Sequence, residues 1–90
     1  MKKTAYSIFD SAISCYLGMQ LFQNDDEAKR ACVDLMSGQP NNITSHPDDF
    51  TLMRIGTFDD ASGELKPADH IEPVVRFWEM ASELKQNVSS

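Results

Sequence analysis

Cysteine is scarce in this 90-residue chain, and the two present, Cys15 and Cys32, are far apart with no C-x-x-C spacing. That excludes a dense disulfide scaffold and any zinc or redox signature, and leaves free, half-buried thiols as the expectation. Glycine is as sparse: the four residues are scattered, and none builds a phosphate-cradling loop. Cations are outnumbered, with Lys and Arg totalling 8 against 14 Asp and Glu, a formal charge of -6. A basic sleeve for nucleic acid is thereby excluded, because non-specific affinity rests on phosphate neutralisation, whereas a local basic patch is not. Long hydrophobic runs are missing too. The stretch AISCYLGMQLF is well short of a membrane span. The opening MKKTAYSIF imitates a secretory signal, but Asp10 interrupts it before an apolar core or a small-residue cleavage site can follow. The expectation is a cytoplasmic protein with no membrane contact.

What is present is ordinary globular composition. Hydrophobic residues make up 41% and charged residues 24%, which separates the chain from disordered sequences. A chain of this size forms one domain, here expected over residues 1–86 with a frayed tail at 87–90, and buries roughly 60% of its unfolded surface. There is no internal repeat and no linker.

Thr4 to Phe9 alternates and is rich in β-branched and aromatic residues, so it reads as a strand with Tyr6 and Ile8 on one face. Ser14 to Phe22 reads as an irregular second strand or as a short helical piece. We take the extended reading, with Gly18 at a bulge or a close backbone approach. Asn24 to Ser37 reads as a helix: Asn24 at the N-cap, Glu27 three residues on, acids in the first turn, and an apolar stripe through Ala28, Ala31, Cys32, Leu35 and Met36. Gly38 and Pro40 end it. Ser45, Pro47 and Asp48 suggest one capped turn. Phe50 to Phe58 carries apolar residues on both sides, the pattern of a central strand covered on two faces. Asp59 to Gly63 is turn chemistry, and Glu64 to Lys66 starts a short partner strand ended by Pro67. Asp69 to Lys85 is expected to be the last helix, with Pro73 in its first turn and Trp78 in the core. The order β-β-α-β-β-α predicts an α+β fold: a small, mostly antiparallel sheet of three to four strands under two helices. Open sheet edges invite a second copy, so a homodimer or higher oligomer is expected.

Candidate chemistry is thin. His46, Asp48 and Asp49 lack a further His or Cys at ligand spacing, so no metal site is expected. Asp59 to Glu64 lacks the offsets of a calcium loop, and nothing near Cys15 lowers its thiol pKa, so no catalytic residue and no cofactor are assigned. Arg54 has two readings. It forms a structural ion pair, or it contacts phosphate together with Lys2, Lys3 and Lys66 from neighbouring strands. Tyr16 and Phe22 pack under the sheet or offer faces on which unpaired bases stack. The candidate nucleic-acid set is therefore Lys2, Lys3, Arg54, Lys66, Tyr16 and Phe22.

The block HPDDFTLMRIGTFDDASGEL resembles the small nonstructural protein of gokushoviruses, single-stranded DNA phages of the microvirus family. The matching residues are His46, Pro47, Asp48, Asp49 and Phe50, then Gly56, Phe58, Asp59, Asp60 and Gly63. The likeness extends over about residues 3–67, through SCYLGMQLF and NDDEAKRA, and departs at Leu17-Gly18-Met19, where that family often has proline followed by aromatics. It implies a non-virion protein in the cytoplasm of the infected bacterium. It also implies contact with single-stranded DNA, or with viral replication or capsid proteins, while genomes are made and packaged. The alternative is a protein-only assembly adaptor with an acidic surface. The resemblance brings no catalytic residues.

Overall fold

The computed structural model describes residues 1–88. Of the tail expected at 87–90, residues 89 and 90 lie outside the described residues. The strands are β1 (Lys2–Asp10), β2 (Cys15–Phe22), β3 (Phe50–Asp59) and β4 (Leu65–Arg76), and they form one antiparallel sheet in the order β2-β1-β3-β4. The long helices are α1 (Asp25–Ser37) and α3 (Phe77–Val88). A one-turn helix α2 (Asn42–Ser45) and a 3-10 turn (Pro47–Asp49) lead into β3. The α+β class and the order of the long elements are those the residue pattern predicts.

The β1–β2 hairpin closes where the Asp10 carboxylate accepts the Ala12 N–H at 3.0 Å and Ser14 adopts φ 52°. Beyond it Phe9 stands opposite Tyr16 and Thr4 opposite Phe22, with a slip between Tyr6 and Ile8. Gly18 and Met19 fill that slip. Gly18 takes φ 66°, a conformation glycine adopts without steric cost, and its carbonyl accepts the Ser7 hydroxyl. Residues 15–22 are thus an irregular strand, and Ser14 belongs to the turn before it.

Helix α1 starts where its cap dictates. Asn24 Oδ1 accepts the Glu27 N–H at 2.9 Å, and the Glu27 carboxylate reaches back to the N–H of Gln23 at 3.1 Å, one residue before the cap. The turn before β3 is capped differently from expectation. The turn expected behind a Ser45 cap is the 3-10 turn opened by Pro47, which has no side-chain cap; the capping box lies upstream, between Asn41 and Thr44 at the start of α2.

The largest correction concerns the C-terminal third. The strand expected to end at Pro67 continues to Arg76, and the helix expected from Asp69 begins only at Phe77. The Asp69 and Glu72 capping pattern is local, but pairing with β3 prevails over it. Val75 stands opposite Leu52, Glu72 opposite Arg54, and Pro67 opposite Gly56. Pro67 and Pro73 are tolerated because β4 is an edge strand. Residues 68–71 are extra on β4, facing the single extra residue Ile55 on β3. Starting α3 eight residues later also changes its buried stripe. Phe77 is fully buried, with Met80, Ala81 and Leu84 along the same face, whereas Trp78, expected in the core, is 47% exposed.

The core lies on one side of the sheet. Tyr6, Phe50, Leu52 and Val75 pack with Ala28 and Cys32 of α1 and Phe77 of α3, bordered by Ile8, Phe22 and Met36. The two-sided cover expected for β3 is therefore not found among the described residues. Its second face, with the matching face of β1, meets no helix.

Candidate contact surfaces

The covered face holds the best-defined polar cluster. Tyr6 on β1 and Arg54 on β3 are ladder partners, so their side chains emerge together toward the start of α1. There Asp25 accepts the Tyr6 phenol at 2.6 Å and the Arg54 guanidinium at 2.5 Å. Arg54 makes a second ion pair with Glu72 of β4 at 3.1 Å. Burial first, and the Asp25 carboxylate second, push the Tyr6 pKa up to about 12. The Arg54 guanidinium holds Asp25 below the usual carboxylate range. The cluster pins α1 and β4 to the two central strands. Its chemistry is that of a tie between elements, because every member has its partner within the group.

Lys2, Lys3 and Lys66 gather at one end of the sheet, where the starts of β1 and β4 flank the end of β3. Acids gather there as well. Lys3 lies 3.8 Å from Asp60, Lys66 3.6 Å from Glu64, and Lys2 stands opposite Asp59 in the ladder. The N-terminal ammonium shares these acids, 2.7 Å from Asp60 and 3.8 Å from Asp59, so three carboxylates face four cations and leave only a small positive excess at this end. Phe22 packs on Tyr6 at 5.7 Å between ring centroids and closes one edge of the core. Tyr16 is on the opposite side of the sheet, 44% exposed and tilted against Phe9 at 4.8 Å. The six candidate residues are thus spread over three places: Arg54 and Phe22 on the covered face, the lysines at one end, and Tyr16 on the open face.

The open face is the second surface. Ser7 and Phe9 of β1 adjoin Met53 and Ile55 of β3, with Tyr16 and Met19 on β2 and Leu65 and Ile71 on β4. Met19, Leu65 and Ile71 are about half exposed, at 48%, 54% and 50%. Two open depressions run across it, one lined by Ser7, Tyr16, Gly18, Ile55 and Ile71, the other by Ala5, Met19, Ile55, Gly56, Leu65, Lys66 and Pro67. Both are lined by strand residues alone.

The sequence model of the Phage ORF5 protein family matches residues 3–80. The chain belongs to that family. It is a bacteriophage protein, and the match spans every strand and the first turn of α3. No curated protein and no solved structure matches the chain.

Two features of these surfaces are not legible in the sequence. Asp25 has the sequence signature of a helix-dipole acid, yet it is the partner of Arg54. The signal was the lone arginine on an apolar strand, which demands a carboxylate but does not say which one. The open face is not legible in the sequence, because apolar residues on both sides of a strand read the same whether one layer covers it or two. Among the described residues no group of three or more His, Cys, Asp or Glu could hold a metal ion, and no helix is long and apolar enough to cross a membrane. Cys32 is buried, which pushes its thiol up to about 11, while Cys15 is exposed.

Proposed function

We propose that this phage protein works by surface contact in genome synthesis and packaging, meeting the replication complex or the coat through their proteins. One observation carries this reading: three of the four cations that would grip phosphate are tied to carboxylates. Lys3, Arg54 and Lys66 each have an acid within 4.0 Å, and Lys29 shares a depression with Glu79 and Glu83. The helical layer is acidic, with Asp26, Glu27, Asp34, Glu79 and Glu83 exposed on α1 and α3. Such a layer suits a basic protein partner by charge complementarity. The resemblance of residues 3–67 to the gokushovirus nonstructural protein supports the viral setting, a non-virion role in the infected cytoplasm. The test is affinity capture from phage-infected cells after nuclease digestion, probing for the replication initiator and the coat protein. Wild type should retain one of them and an Asp34→Lys, Glu83→Lys double variant, both positions exposed, should lose it. Retention of neither would overturn the reading.

A second reading has its own observation. Tyr16 and Phe9 form an aromatic pair on an uncovered sheet, a geometry on which unpaired bases stack. Direct contact with single-stranded DNA would then run across the open face and be weakened by Tyr16→Ala.

A further inference from the structure

We infer that the open sheet face is the interface of a homodimer, two copies packing sheet against sheet. The inference goes beyond the proposed function and holds whichever viral protein is the partner.

Three observations lead to a second copy as the occupant. The first is pattern. The central strand β3 is apolar on both sides, yet helices cover only the side of Phe50 and Leu52; Met53 and Ile55 face the bare side. A strand buried on two faces reads this way, so the missing cover is a layer outside the chain. The second is charge. The chain carries -6, and two such molecules repel wherever their acids face each other. The middle of the open face, from Ser7 and Phe9 through Met53 and Ile55 to Ile71, has no ionisable side chain. It is where two acidic copies can meet without opposing charges; the cation nearest to it, Lys66, lines the second depression and is paired with Glu64 at 3.6 Å. The third is size. Four strands about 4.8 Å apart, each contributing about eight residues at about 3.3 Å, span roughly 500 Å² in plan. That is of the same order as a standard stable interface, about 800 Å² per partner.

Stacked in this way, the sheets form the two inner layers and the helices the two outer ones, the aligned packing that paired twisted sheets adopt. The Tyr16–Phe9 pair enters the interface, and the acidic helical layers face outward on both sides. This differs from pairing through the edges of β2 or β4, which would leave the apolar face wet.

Sedimentation velocity on the purified full chain tests the proposal. Wild type should sediment at twice the chain mass of 10.1 kDa. Ile71→Glu sets an acid in the face of each copy at an exposed position, and should give monomers with an unchanged circular dichroism spectrum. Val33→Glu, an exposed site on α1, should remain dimeric. Wild type at single-chain mass at its highest soluble concentration would overturn the proposal. So would a dimer that survives Ile71→Glu, which would place the contact at an edge or on the helices. A monomer whose open face is protected by a single-stranded oligonucleotide would assign the face to nucleic acid instead.

Discussion

Raising the pH should remove a defined part of this fold's stability through one hydroxyl. Tyr6 is fully buried at the centre of the covered face and donates to Asp25 at 2.6 Å. Its folded pKa is pushed up to about 12, by burial first and the neighbouring carboxylate second, from a value of 10.0 when solvated. The folded state therefore holds the proton more tightly than the unfolded state. The associated stability is complete below about pH 10 and is lost as the pH rises toward about 12. A difference of about two in pKa corresponds to roughly 2–3 kcal/mol, a large share of what so small a domain has in reserve. Replacing Tyr6 with Phe removes the titrating group. It should cost about 1 kcal/mol near neutrality through the lost hydrogen bond, and Asp25 keeps its ion pair with Arg54. Urea unfolding of both proteins, from about pH 8 to about pH 11.5, reads the difference directly. Wild type should start the more stable and converge on or fall below Tyr6→Phe at the alkaline end. Parallel losses across the window would refute the coupling of Tyr6 to the fold.

Other outcomes follow from the same packing. Asp25 is held below the ordinary carboxylate range, first by Arg54, so its contribution is present above about pH 4 and fades as the pH falls further; Asp25→Asn should flatten that acid limb in urea titrations. A Cβ at Gly56 would strike the Lys66 carbonyl and crowd Pro67, so Gly56→Ala should cost about 1–3 kcal/mol and loosen β4, read as faster amide exchange along Leu65–Arg76. Phe77→Ala empties a fully buried site and should cost about 3–5 kcal/mol, whereas the exposed neighbour Trp78→Ala should cost under about 1 kcal/mol; equal costs in thermal unfolding would contradict the placement of α3.

Legibility in the sequence followed the range of the interaction. The cap at Asn24, the turn at Gly63 with φ 77° and the strand from Phe50 are set by neighbours in the chain, and all three were readable. The start of α3 was not, because Asp69, Glu72 and Pro73 imitate a helix entry and only the ladder with β3 makes them strand. The partner of Arg54 was hidden for the same reason, since Asp25 lies 29 residues away along the chain. Of the candidate contact residues, Tyr16 was placed on an open surface and Phe22 was not. The two are six residues apart with a slip at Gly18 between them, and such slips change which face a side chain meets.

The binding of a labelled single-stranded oligonucleotide to the purified protein at low salt bears most directly on how the molecule works. With Lys3, Lys66 and Arg54 tied to carboxylates, the protein should leave the oligonucleotide free under conditions that favour phosphate contact. Saturable binding that weakens steeply with added salt and is lost in Tyr16→Ala would contradict a protein that acts through protein partners.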